Sequence, residues 1–155
     1  MARTIVLETE IPAAVEKVWQ EVRTSRLLHY ITRGFVRFVP TKTKPFPETW
    51  VEGEYRAWLL LFGFIPIGWQ IIAIEDQPAE GEVRRIRDNG RGMMIRTWDH
   101  MIEIRPSGLQ THYADRITVD AGILTPLVAI FAKAFYAHRQ KRWVRLAENG
   151  FDYDR

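Results

Sequence analysis

Cysteine is absent from this chain, and its four histidines, His29, His100, His112 and His138, are scattered along it. The first absence excludes disulfides and thiolate metal sites. The scatter leaves no H-x-H or H-x-x-x-H pair to hold zinc, so no metal and no cofactor is expected. A glycine-rich phosphate loop is missing, and so is a serine in a nucleophile elbow. Charge of one sign is missing too: 22 basic and 19 acidic residues leave a net charge of +3, a weak attraction for anionic partners. The densest basic cluster, Arg84, Arg85, Arg87, Arg91 and Arg96, is interrupted by Asp88 and flanked by Glu82. Without an RNA-recognition aromatic signature it reads as a solvated strand face, and no nucleic-acid partner is expected. No charged-then-apolar leader is visible at the N-terminus, so a cytoplasmic location is expected.

An uninterrupted apolar run is the last absence. Residues 57–74 contain Gly63, Pro66, Gly68 and Gln70 and read as a hairpin, with the glycines and proline forming the turn. Residues 121–137 carry Gly122, Pro126 and Lys133 and pass into the basic run from His138 to Arg142. Neither is expected to span a membrane.

What is present suits one domain over residues 1–155, with 46% hydrophobic content and no linker, repeat or low-complexity tract. Residues 4–11 alternate as a strand, with Ile5, Leu7, Thr9 and Ile11 on one face. Pro12 opens a helix carrying Val15, Val18, Trp19 and Val22, and Thr24 or Ser25 can cap a second with Leu27, Leu28 and Ile31. Gly34 ends the pair. Strand-like segments follow at 35–39, 50–61, 68–75, 82–88, 94–105 and 109–120, separated by short turn-rich pieces that include Asp88-Asn89-Gly90-Arg91-Gly92 and Pro106-Ser107-Gly108. Connections this short favour an antiparallel meander. The chain closes on one long helix over 125–149, with Thr125 as its cap, Pro126 in its first turn and Asn149-Gly150 as its stop. That is roughly 24 residues, about 36 Å, followed by a short tail over 150–155.

The expected fold is α+β: a strongly bent antiparallel sheet of about seven strands, in the order β-α-α-β-β-β-β-β-β-α, wrapped around the terminal helix. In Ile11-Pro12-Ala13 with Val18-Trp19, in Trp98-Asp99-His100 and in Tyr113-Ala114-Asp115-Arg116 the chain resembles the SRPBCC superfamily of helix-grip proteins, which includes START lipid-transfer domains, birch-pollen-type allergens and polyketide cyclases and dehydratases. The resemblance covers nearly the whole chain. It implies a hydrophobic cavity between sheet and helix, in proteins that bind lipids, sterols, polyketides or plant hormones and of which only some are enzymes.

If the last two strands are joined through 106–109, Arg105 faces Gln110, and register places Ile104 opposite Thr111, Ile102 opposite Tyr113, His100 opposite Asp115 and Trp98 opposite Ile117. These eight share a mostly apolar face, the one expected to look at the helix. Asp115 then orients the His100 imidazole and raises its pKa, leaving His100 as a general acid or base or as a donor to a ligand carbonyl; alternatively the pair satisfies two buried polar groups and fixes register. On the helix, Leu124, Leu127, Val128, Phe131, Phe135 and His138 form the stripe expected to face the sheet. The loops at 62–67, 88–93 and 121–125 should gather at one end. Phe62, Phe64, Ile65, Ile67, Ile123 and Leu124 make that end apolar, suited to a lid or entrance, a homodimer contact through Phe62, Phe64, Ile65 and Ile67, or shallow peripheral membrane docking assisted by Arg91 and Lys133.

The leading expectation is a module that binds or carries a small hydrophobic, lipid- or polyketide-like ligand. Its contacts would be Trp58, Trp98, His100, Ile102, Tyr113, Asp115, Ile117, Leu127, Phe131 and Phe135. The second is a cyclase- or dehydratase-like enzyme with His100 as acid-base residue, Asp115 as its partner and Tyr113 as donor to a developing oxyanion. The third is a protein-interaction module that uses the apolar loop end.

Overall fold

The computed structural model describes residues 1–155. Strand β1 (Arg3–Ile11) turns Ile5, Leu7, Thr9 and Ile11 inward and Val6, Glu8 and Glu10 outward, as its alternation requires. Helix α1 (Val15–Val22) buries Val18 and Val22, and α2 (Ser25–Thr32) buries Leu27, Tyr30 and Ile31. The Thr24 hydroxyl caps α2 by accepting the Leu27 N–H at 3.4 Å. Gly34, at φ +88°, turns the chain out of the helix pair into the sheet.

Strands β2 (Val36–Pro40), β3 (Gly53–Leu61), β4 (Ile65–Asp76), β5 (Arg84–Gly92), β6 (Thr97–Ser107) and β7 (Gln110–Asp120) complete an antiparallel sheet in the order β1-β7-β6-β5-β4-β3-β2. The meander accounts for six of the strands, and β1 closes onto β7 at the far edge. A three-residue 3-10 turn, Gly122–Leu124, leads into α3 (Thr125–Glu148), which lies across the inner face of the sheet.

Three local expectations fail. The 88–92 segment is not a turn but the end of β5; the real turn is at 93–96. The ladder between β4 and β5 is interrupted between Ile71↔Arg91 and Ile74↔Asp88, and the Asp88 carboxylate fills the gap by accepting the Ala73 N–H at 2.8 Å. Gly90 is needed there because a Cβ would stand 2.8 Å from the Ile71 carbonyl oxygen and 3.1 Å from that of Trp98. Secondly, the β3–β4 turn lies at 62–64, so Pro66 and Gly68 belong to β4, where the register shifts opposite Leu59 and Leu60.

Thirdly, the β6–β7 register is displaced by two from the expected one. The hairpin closes through Gly108 and Leu109 alone, with Gly108 at φ +62° as the first central residue of a primed turn requires. Ile104 therefore pairs with Tyr113, Ile102 with Asp115, His100 with Ile117 and Trp98 with Val119. A slip of two preserves every residue's face, so the inward set survives.

The terminal helix ends as its sequence implies and begins differently. Gly150 adopts φ +75°, the Phe151 N–H bonds the Leu146 carbonyl at 2.8 Å, and the Gly150 N–H bonds that of Ala147 at 3.2 Å. Thr125 does not cap the helix: its hydroxyl donates to the Gly122 carbonyl at 2.7 Å and accepts the Ala121 N–H at 2.9 Å, tying down the preceding turn. Past the helix, Tyr153 packs edge-on against Tyr30, lies under the Arg26 guanidinium and donates its hydroxyl to the buried Glu21 carboxylate, which also pairs with Lys17 and Arg26. Of the arginine cluster, Arg85 pairs with Glu80, Arg87 with Asp99 and Glu75, and Arg91 with Glu54 on the outward face, whereas Arg84 shares the face of Ile86 and pairs with Glu16 of α1.

Candidate functional site

The buried stripe of α3 is Thr125, Ala129, Ala132, Phe135, Tyr136, Arg139, Gln140, Trp143, Leu146 and Ala147. It is rotated from the expected one: Leu127 is 65% exposed, while Val128 and Phe131 are only partly buried. Phe131, Phe135 and His138 gather around Phe35, and His138 bonds the Arg33 carbonyl, so that stripe packs beside the helix pair. Apolar periodicity pointed to the wrong face because Arg139 and Gln140, polar by type, lie in the right one.

Between this stripe and the sheet are two cavities that share four walls: Phe38, Gln70, Trp98 and Phe135. The inner one, about 70 Å³, reaches from the helix pair (Val22, Leu27, Leu28, Ile31) across Ile72, Ile74, Ile86 and Ile102 to Phe135, Tyr136 and Arg139. The outer one, about 80 Å³, is bounded by Val36, Leu59, Ile67, Met93, Met94, Ile95 and Phe131. It sits at the expected apolar end, where Phe62, Phe64, Ile67, Met93, Met94 and Ile123 are exposed. Met93, within the expected 88–93 loop, belongs to that end, and so does Met94, which was assigned to the next strand because the turn was placed too early.

A polar network runs behind and into the inner cavity. The Asp115 carboxylate, fully buried, takes a bond from His100 Nε2 at 2.7 Å and from the Tyr113 hydroxyl at 3.1 Å on one oxygen, and from Gln140 Nε2 at 2.9 Å on the other. Gln140 also donates to the Leu7 carbonyl at 2.9 Å, fastening the helix to β1. Desolvation pushes Asp115 up, but the bonds from His100 and Gln140 and the charge of Arg139 outweigh it and hold the carboxyl below its ordinary value. For His100 the balance is the reverse of the expected one: loss of water around a nearly sealed imidazole outweighs Asp115 and lowers its pKa. The imidazole is therefore neutral at pH 7. With Asp115 ionised, Nε2 carries the proton and Nδ1 is left as an acceptor, so His100 is suited to receive a hydrogen bond from a ligand hydroxyl and not to donate to a carbonyl.

Tyr113 spends its hydroxyl proton on Asp115, which leaves it none for an oxyanion, and burial pushes its pKa well above 10. Tyr136 is the tyrosine with a proton to spare: its oxygen accepts the Trp98 indole N–H at 2.9 Å, leaving its own proton free, and it lines the cavity. Burial likewise raises its pKa. Asp88, partly accessible where it lines the cavity, has its carboxyl pushed up to about 7, chiefly by desolvation.

Of the residues singled out from sequence, Trp98, His100, Ile102, Tyr113 and Phe135 line the inner cavity and Phe131 the outer. Asp115 and Ile117 are fully buried and line neither. Trp58 is 48% exposed on the convex face beside Trp69, under the Arg56 guanidinium, and like Leu127 it lies off both cavities. Gln70, Asp88, Tyr136 and Arg139 were missed. The spacing Thr125, Ala129, Ala132, Tyr136, Arg139, Trp143 was the signal that could have found the last two, since small residues allow the helix close to the sheet.

An open seven-stranded antiparallel sheet gripping a long C-terminal helix over an internal cavity is the fold of the SRPBCC, or START-like helix-grip, superfamily. Residues 9–147 match the family model of a domain of unknown function, DUF8410, and the chain belongs to that family. Among solved structures it is similar to a START superfamily protein from Mycobacterium smegmatis (16% identity, TM-score 0.69, covering 94% of this chain and 97% of that one). It is also similar to TTHA0849 from Thermus thermophilus (14%, 0.65, 96% and 99%). A third is the Zhui aromatase/cyclase from Streptomyces sp. R1128 (8%, 0.65, 96% and 94%). No curated protein matches the chain in sequence.

Proposed function

We propose that this protein binds a small, largely apolar molecule in the inner cavity and orients it through polar groups set into the apolar wall. The observation that supports this is the lining: 14 of 20 residues are hydrophobic, Tyr136 with its hydroxyl among them, and the six others include Gln70, Asp88, His100 and Arg139. That is the composition of a small-molecule site, in which area supplies affinity and a few convergent polar groups supply orientation. Trp98, Ile102 and Phe135 provide contact, and Phe131 guides entry through the outer cavity. Asp115 acts at one remove, by fixing the His100 tautomer and holding Tyr113 and Gln140. Native mass spectrometry of freshly purified protein tests the reading: a co-purifying lipid- or polyketide-like mass is expected, and bare protein that takes up no apolar compound at millimolar concentration would refute it.

A second reading has one observation in its favour, the neutral His100 held against an ionised Asp115 at the cavity wall, an arrangement able to accept a proton. In a carrier, His100→Gln weakens binding modestly; in a cyclase- or dehydratase-like enzyme it lowers turnover by roughly 100-fold or more.

A further inference from the structure

Arg139 is the only arginine among the buried residues of α3. It is 7% exposed, it lines the inner cavity, and its Nε is sealed from solvent with no hydrogen-bond partner. Its guanidinium carbon stands 4.7 Å from the Tyr136 ring centroid and 5.6 Å from that of Phe135, so its neighbours on the helix are aromatic faces. A guanidinium does not lose its proton in a protein, so this charge must be met where it stands.

Neither carboxylate near the cavity forms a hydrogen bond or ion pair with Arg139. Both Asp115 oxygens are engaged by His100, Tyr113 and Gln140. One Asp88 oxygen accepts the Ala73 N–H, and the group is half protonated near neutrality. The acceptor that Arg139 lacks is thus left for whatever enters the cavity.

From this geometry we infer that the ligand is an apolar monocarboxylate whose carboxylate pairs with Arg139, an inference that rests on the cavity-binding reading above. Arg139 already shares its field with Asp115 and Asp88, so a ligand anion is held there by hydrogen bonds to the unpartnered guanidinium and not by net charge, which suits a monoanion and not a phosphate dianion. The Tyr136 hydroxyl, free to donate and three residues earlier on the same helix, supplies a second bond to the anion. The inner cavity, at about 70 Å³, does not hold such a molecule alone, so its apolar part passes Phe38, Trp98 and Phe135, the walls common to both cavities, into the outer one.

Isothermal titration at pH 7 with matched pairs, octanoate against octanamide and 2-naphthoate against 2-naphthamide, tests this on the full chain. Wild type should bind each acid about tenfold or more tighter than its amide, the scale of one buried charge-assisted bond. Arg139→Gln should bring that ratio to about two or less, and Arg139→Lys should retain most of the preference. Equal affinity of acid and amide for wild type overturns the inference and leaves the cavity reading standing, and this outcome needs no variant to fold. A preference undiminished in a folded Arg139→Gln protein also overturns it. Binding of neither member of either pair overturns both.

Discussion

Replacing Asp88 by asparagine is expected to stabilise the ligand-free protein above neutral pH, the opposite of what removing a buried hydrogen-bonded acid normally does. The Asp88 oxygen accepts the Ala73 N–H in the broken stretch of the β4–β5 ladder, and an asparagine oxygen can accept the same bond. What the amide removes is the charge. Asp88 titrates at about 7 in the fold against 3.8 for the free side chain, so between these values the folded state holds a proton that the unfolded state has released. Stability therefore falls as pH rises through this window and levels off above it. A shift of this size corresponds to about 4 kcal/mol if fully expressed. Asp88 is partly accessible where it lines the cavity, and water admitted there screens the carboxylate, so about half, ~2 kcal/mol, is the expected gain. His100 contributes a slope of the other sign: its lowered pKa adds stability above about pH 6.5 that is lost as pH falls, but both proteins share it and it cancels in the difference. Urea unfolding followed by tryptophan fluorescence from pH 4 to pH 8 measures the effect. The Asp88→Asn advantage should be near zero at pH 4 and grow to its full value by pH 8. A constant difference across this range, or a variant less stable than wild type at pH 8, would refute the reasoning.

Asp115→Asn should cost about 2–4 kcal/mol at pH 7, because three donors converge on the carboxylate and an amide must turn its own N–H₂ toward at least one of them. Urea midpoints at unchanged slope give the number, and a loss under ~0.5 kcal/mol would contradict the network. Gly90→Ala should cost about 1–3 kcal/mol, since the added methyl meets two backbone oxygens that cannot move without parting the strands. Thermal unfolding reads it at roughly 2–4 °C per kcal/mol, and an unchanged midpoint would show that the close approach of the strands at Gly90 is not real.

Much of the fold was legible. The inward set Trp98, His100, Ile102, Ile104, Tyr113, Asp115 and Ile117 could be named because strand periodicity survives a two-residue error in register. His100 and Asp115, placed directly opposite by the expected register, are diagonal neighbours yet still bond at 2.7 Å, within reach of their side chains. Asp88-Asn89-Gly90 misled because its local turn signal is strong, while what holds it extended is long-range: an Ala73 N–H in need of an acceptor and two strand carbonyls too close for any side chain. The missed polar residues share one cause. Composition assigns arginine, glutamine and aspartate to water, and only packing against another element overrides that assignment.

From the chain alone came the order of the elements, the antiparallel meander, the terminal helix with its glycine stop and the apolar end, because alternation, turn residues and helix signals act over a few residues. The tertiary structure alone decided which helix face meets the sheet, the division of the interior at Phe38, Gln70, Trp98 and Phe135, and the proton held by each buried group. Those depend on sums of burial and charge over residues distant in sequence: Asp115 drops and Asp88 rises although both are aspartates in strands, because one is met by three donors and the other by one.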